Sequence, residues 1–300
     1  MEPTDKPIGI FDSGLGGLTV ARAIAKELPS ESIIYIGDTK RCPYGPRDQA
    51  EVRLFVRQVG AWLESRDVKA VVIACNTATA AGLDVLQRSL EVPVMGVIEP
   101  GARAAIQATR SRRVGVLATQ GTVDSGSYVR AIGMLDAGVR VTQAAAPALV
   151  EIVEDELVSG AHLHEDWMSD KAIFDTPAIR AATRAAAAPL LGRGIDTVVL
   201  GCTHFPLLAP EVRSALGDGV RIVSSAEETS AELRATLDRR GDLAPAGVDP
   251  AYRFATTSDD ITEFAVAGSF IFGHPLDSIE HVDLEDLEAL TDCVGTGEGE

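Results

Sequence analysis

The sequence predicts an α/β protein made of two similar halves, each built on a mostly parallel sheet. Three observations carry that prediction. Short apolar runs alternate along the chain with segments whose apolar residues recur at helical spacing. The runs are continuously apolar rather than alternating, as in strands covered on both faces. Two segments also repeat: IGIFDS at 8–13 matches VGVLAT at 114–119, and AVVIACNT at 70–77 matches TVVLGCTH at 197–204, with a cysteine in register.

The elements follow in order. Ile8 to Phe11 is a strand ending at Asp12 and Ser13, followed by a turn containing Gly14, Gly16 and Gly17. Leu18, Ala21, Ile24, Ala25 and Leu28 then mark a helical stripe. Ile33 to Ile36 is the next strand, which breaks at Gly37 and Asp38 into a loop rich in Pro and Gly, Thr39 to Arg47. Val52, Phe55, Val56, Val59 and Leu63 predict a helix, and Ala70 to Ala74 a buried strand leading straight into Cys75, Asn76 and Thr77. Val94 to Glu99 reads as a strand broken at Pro100–Gly101, with a helix from Ala102. A second half is expected from there to His204–Phe205–Pro206, ahead of a strand (Val220 to Val223), a helix (Ala226 to Arg239), a strand (Tyr252 to Ala255) and a helix from Asp259. That remainder is expected to return to the first half as a discontinuous domain. Glu285 to Glu300, acidic and glycine-containing, is expected to be a frayed tail.

Composition narrows the function classes. A chain of 300 residues with 46% hydrophobic and 24% charged residues can build a full core. Its formal net charge of −17 repels phosphate backbones, so nucleic acid is not expected as a partner. No apolar run reaches the roughly 18 residues of a membrane span. Met1 to Pro7 lacks a basic stretch before an apolar one, so a cytoplasmic protein is expected. Cysteines stand at 42, 75, 202 and 293, with no CxxC pair, which argues for free thiols over zinc ligands or a disulfide scaffold.

Cys75-Asn76-Thr77 and Cys202-Thr203-His204 are the main chemical signal. A cysteine after a buried strand and before a helix sits near a positive helix end, which is expected to lower its pKa and favour the thiolate. The N–H groups that follow, with the Asn and Thr side chains, can hold a carboxylate, and His204 can ready the Cys202 thiol for proton transfer. Either cysteine alone reads better as a small buried core residue; two in matching positions with polar followers reverse that and favour chemistry. Ligands of open α/β sheets bind at the carboxyl ends of strands. Asp12 and Ser13 are either caps of the glycine turn or groups aimed into a cleft to orient a thiol or an ammonium. In GLGGLT the third glycine of GxGxxG is replaced by Thr19, and no GK[ST] occurs, so a nucleotide loop is not expected. Tyr44 and the Gly45 N–H belong either to an ordinary surface turn or to the wall of a carboxylate pocket. His162, His164, Glu165 and Asp166 look superficially metal-binding, but no further cluster completes a site, and no metal is expected. None of the lysines (6, 26, 40, 69, 171) follows a strand in a way that would seat pyridoxal phosphate.

Taken together, IGIFDSGLGGLTV (8–20), YIGDTKRCPYGPR (35–47), VVIACNTATA (71–80), GVIEPGARAA (96–105), GVLATQGTV (115–123) and LGCTHFPLL (200–208) resemble the glutamate racemases, cofactor-independent members of the aspartate/glutamate racemase superfamily. The cysteine motifs alone point to the superfamily; DSGxGGLTV and PYG point to the glutamate racemases. The similarity runs from about residue 8 to about residue 284, where IEHVDL still looks like the family's end. It implies two pseudo-symmetric three-layer αβα domains, 1–98 plus 208–284 and 99–207, with the active site in the cleft between them; the acidic tail at 285–300 has no counterpart in the family pattern. By motif match, Cys75 and Cys202 resemble the catalytic acid/base thiols, and Asp12 and His204 the residues assisting them. Asp12, Ser13, Tyr44, Gly45, Asn76, Thr77, Thr203 and His204 resemble the substrate-binding set, and Glu154 a further polar site residue.

The resemblance further implies racemisation of glutamate without cofactor or metal, supply of D-glutamate for peptidoglycan synthesis, a homodimer, and in some members a restraining contact with DNA gyrase. Racemisation of aspartate or another acidic amino acid, or a non-enzymatic amino-acid-binding role on the same scaffold, are the alternatives. This chain departs from the family pattern at Cys42, where a non-thiol residue is commoner before PYG, and at Ala146–Pro147, where many members have Cys-Pro.

Overall fold

The computed structural model describes residues 5–160 and 171–293. Among these residues the strands form two sheets, and every strand pair is parallel. The first sheet contains β1 (Ile8–Asp12), β2 (Ile33–Gly37), β3 (Ala70–Ile73), β4 (Val94–Gly96), β9 (Tyr252–Thr256) and β10 (Ile279–His281), in the order β10-β9-β2-β1-β3-β4. The second contains β5 (Arg113–Ala118), β6 (Arg140–Ala145), β7 (Thr197–Gly201) and β8 (Arg221–Ser224), in the order β6-β5-β7-β8. The core orders β2-β1-β3-β4 and β6-β5-β7-β8 are the same, so the sequence repeat is a structural one.

Alternating side chains explain the layers. On one face of the first sheet Ile8, Ile10, Ile33, Tyr35, Ala70 and Val72 pack with Leu18, Ala21 and Ile24 of α1 (Leu18–Glu27). On the other, Phe11, Ile34, Ile36, Val71 and Ile73 meet Val52, Phe55, Val56, Val59 and Leu63 of α2 (Gln49–Ser65). In the second sheet Val114, Val116, Ala118 and Val199 face α4 (Ile98–Ala108) and α6 (Ser127–Leu135), while Leu117, Val198 and Leu200 face the cluster holding Leu149 and Val153 of α7 (Pro147–Gly160). Each fully buried side chain of this size contributes about 1.5–3 kcal/mol. Among the described residues no helix is long and apolar enough to cross a membrane.

Three expectations are corrected. The strand read over 94–99 ends at Gly96, and α4 begins at Ile98; Pro100 lies in its first turn, where a helix needs no N–H donor. The return to the first sheet does not come at residue 208. After α9 (Ala209–Leu216), β8 pairs with β7, Val198 opposite Ile222, so the second sheet runs to Ser224. Helix α10 (Ser225–Arg240) then packs on both α1 and α4 before β9 joins β2. Finally, the stretch from 285 begins as structure rather than as a tail: α12 (Leu284–Cys293) lies on α2, with Leu287 fully buried and Leu284 and Leu290 on the same stripe.

Candidate active site at the strand ends

Both cysteine motifs open at the carboxyl ends of equivalent strands. Cys75 follows β3 and is the N-cap of α3 (Asn76–Ser89). Cys202 follows β7 and leads into a short 3-10 turn, Phe205–Leu208. Both thiols line one cavity. Ser13, Tyr44, Gly45, Asn76, Thr77, Thr203 and His204 line the same cavity. The chain thus brings together nearly all the residues expected from its motifs.

Asp12 and Glu154 lie behind this wall, each reached through another residue. The Asp12 carboxylate is fully buried and accepts from the N–H groups of Gly17 (3.0 Å) and Gly14 (3.3 Å) and from the Thr203 hydroxyl (3.4 Å). A Cβ on Gly16 would fall 2.5 Å from Thr203 Oγ1 and 2.8 Å from the His204 ring, so glycine lets the β1–α1 turn touch the second half. Burial raises the Asp12 pKa, against the pull of the His204 charge and the two N–H groups. Glu154 Oε1 lies 3.2 Å from His204 Nε2 and accepts from the Cys42 thiol at 3.3 Å. His204 Nδ1 is in turn 3.6 Å from Cys202 Sγ. Burial opposes the imidazolium, but contacts with Cys202 and Glu154 outweigh it and raise the His204 pKa well above the ordinary value. Glu154 mirrors this: burial pushes it up, while the His204 contact wins and holds it below the usual carboxylate range. The two directions agree on a charged pair beside Cys202.

Cys75 corrects the simple helix-end expectation. Its sulfur accepts from the Ala78 N–H at 3.4 Å, and its thiol points to Ser13 Oγ at 3.8 Å. Burial nevertheless pushes it far above the usual thiol value, and the Asp12 charge adds to the rise. One N–H does not offset full desolvation beside a carboxylate. Tyr44 also differs from expectation: its hydroxyl is committed to Asp38, which Arg41 Nε (2.7 Å) and the Thr257 hydroxyl (3.0 Å) hold as well. The residue still lines the cavity. Gly45 lends its carbonyl to the Gly121 N–H across the cleft, at 2.8 Å.

Thr119, Gln120, Val150 and Glu151 also line the cavity and were missed. Thr119 was discoverable, because the repeat of 8–13 on 114–119 pairs it with Ser13; its hydroxyl meets that of Thr77 at 2.9 Å. Gln120 carries no such signal, and Val150 and Glu151 lie on a helix whose motif departs from the family. His162, His164, Glu165 and Asp166 lie outside the described residues. Among the described residues no group of three or more His, Cys, Asp and Glu side chains is placed to hold a metal ion.

Comparison with known proteins agrees with this geometry. The Asp/Glu/Hydantoin racemase family model matches residues 18–233. A glutamate racemase of Lysinibacillus sphaericus is 45% identical over 251 residues, covering 84% of this chain and 89% of that protein. The crystal structure of a glutamate racemase isoform from Bacillus anthracis superposes with a TM-score of 0.84 at 43% identity, covering 93% of this chain and 98% of the other. That of the Francisella tularensis glutamate racemase, in complex with D-glutamate, gives 0.82 at 28% identity over 94% of this chain and 98% of the other. With paired thiols at equivalent strand ends and likeness along nearly its whole length, the chain belongs to the Asp/Glu/Hydantoin racemase family, on its glutamate racemase branch.

Proposed function

We propose that this protein interconverts L- and D-glutamate by moving the Cα proton between two thiols, with no cofactor. The observation that carries the reading is the placement of Cys75 and Cys202 on equivalent turns of the two halves, lining one cavity. Inverting a stereocentre requires a proton acceptor on one face and a donor on the other, and a duplicated half supplies both. One sulfur, as thiolate, takes the proton from Cα; the other, as thiol, delivers one to the opposite face. The sulfur roles exchange in the reverse direction.

The carbanion-like species between these steps is a strong base and must be stabilised where it forms. The N-terminus of α3 and the hydroxyls of Thr77, Thr119 and Thr203 offer donors to the substrate carboxylates. The Asp12 side balances the ammonium group, and holding both thiols against one carbon supplies proximity. On the second side, the His204 imidazolium passes a proton to and from Cys202 and is held by Glu154. The relatives named as glutamate racemases, one solved with D-glutamate, support glutamate as the substrate. The same reading assigns the product to peptidoglycan synthesis in the cytoplasm.

The test is chiral chromatography on purified protein incubated with each enantiomer of glutamate and of aspartate, with no added cofactor. Racemisation of glutamate is expected. Turnover of aspartate with none of glutamate would reassign the substrate, and turnover of neither would remove the racemase reading.

A further inference from the structure

Tyr128 is fully buried in α6 of the second half, yet it reaches both thiol-bearing turns. Its hydroxyl donates to Asn76 Oδ1 at 2.8 Å, and Asn76 is the residue directly after Cys75. Its ring lies under Gly201, the residue directly before Cys202; a Cβ there would fall 3.1 Å from Tyr128 Cε2. One aromatic side chain of the second half therefore lies beside the residue next to each sulfur, across the cleft at Asn76 and within its own half at Gly201.

The hydrogen bond also has a direction. An asparagine amide has one accepting oxygen and one NH2 group with two donors. Tyr128 engages the oxygen from the second half, which leaves the NH2 group as the part of Asn76 available to the cavity that Asn76 lines. A cavity built for a dicarboxylate needs donors, and a flipped amide would offer an acceptor that repels it.

We infer that Tyr128 is a positioning residue: its hydroxyl fixes the Asn76 amide with the donor side toward the substrate carboxylate, and its ring sets the spacing of the two thiol turns. The role rests on the racemase reading and separates into two parts. The hydroxyl acts on substrate affinity. The ring acts on the alignment of the sulfurs, and so on turnover.

The experiment uses the full chain and measures kcat and KM for D-glutamate, D-glutamate affinity by calorimetry, and the thermal unfolding temperature. Tyr128→Phe keeps the ring and removes the hydroxyl. It is expected to raise KM and Kd about tenfold, the effect of losing one hydrogen bond that orients a charged ligand, while kcat changes by less than about threefold. Tyr128→Leu removes the ring as well and is expected to lower kcat at least about tenfold below Tyr128→Phe. KM and Kd in Tyr128→Phe equal to those of the parent would overturn the role. So would a fall in kcat and unfolding temperature with KM unchanged, the mark of a merely structural residue. A parent protein that turns over no glutamate would remove the racemase reading itself; an active parent with an indifferent Tyr128→Phe removes only this inference.

Discussion

The two thiol turns share one strand-turn pattern but surround their sulfurs with different groups. Around Cys75 the partners are a helix N–H, the Ser13 hydroxyl and the charge of Asp12, and the thiol is pushed up. Around Cys202 the partner is His204, raised well above its ordinary pKa and held by Glu154. The repeat shows where the difference entered: Asp12 corresponds to Ala118, and His204 to Thr77. Each half has kept its sulfur and placed its ionisable helper at a different position. The Thr203 hydroxyl, bonded to Asp12 from the other half, ties the two arrangements together. The repeat sets where the two sulfurs sit; the residues around them differ.

The largest expected effects come from the sulfurs themselves. Cys75→Ser and Cys202→Ser should each lower kcat for racemisation by about 10²–10⁴-fold, since a serine hydroxyl is a far weaker acid. Chiral assay of both variants checks this, and an effect confined to one of them would break the two-sided account. Next come the helpers. Asp12→Asn and His204→Asn should each lower kcat by about 10²-fold. The enantiomers have equal free energies, so kcat/KM must stay equal in the two directions for any variant. The asymmetry therefore shows in the primary deuterium isotope effects: the two variants should enlarge them in opposite directions of reaction. Equal enlargement in both directions would mean that the half-sites are not functionally distinct.

A smaller effect sharpens the Cys202 side. Removing the Glu154 charge takes away a cause of the raised His204 pKa, so Glu154→Gln should lower kcat by about tenfold and move the alkaline limb of the pH–rate profile to lower pH. Stability follows the same pair. Glu154 has its pKa lowered on folding, so its contribution is present above its unfolded value and lost as pH falls through the folded one. His204 has its pKa raised, so its contribution is present below its unfolded value and lost as pH rises through the folded one. The stability gap between the parent and Glu154→Gln, read by denaturant unfolding, should be widest between the unfolded values of Glu154 (4.5) and His204 (6.5) and narrow toward both extremes. The smallest effect belongs to Cys42, whose thiol donates to Glu154 from outside the main cavity. Cys42→Ala should change kcat by less than about threefold.

Much of this was legible in the sequence because the signals were local. Buried strands read as continuous apolar runs, and the cysteine turns announced themselves by repetition. What was not legible depended on partners distant in sequence. Pro100 looked like a helix breaker until its place in the first turn of α4 was known. The return to the first sheet was placed at residue 208 because nothing local distinguishes β8 from a strand of either sheet; pairing with β7 decides it. The stretch from 285 looked frayed because acidic residues surround Leu287, which is buried in the cluster that includes α2. At the site, the thiol pKa expected from the helix end took no account of desolvation, and Tyr128 carries no motif because its neighbours, Asn76 across the cleft and Gly201 within its own half, are distant in sequence.

The most direct test is the entry of solvent deuterium at Cα during racemisation in heavy water, compared between the parent and each single Cys→Ser variant by mass spectrometry and chiral separation. The account predicts one deuterium in every product molecule formed by the parent and racemisation slowed at least about 10²-fold in either variant. Parent-like racemisation by Cys75→Ser or Cys202→Ser, or product formed by the parent without deuterium while the α-proton is retained, would contradict it.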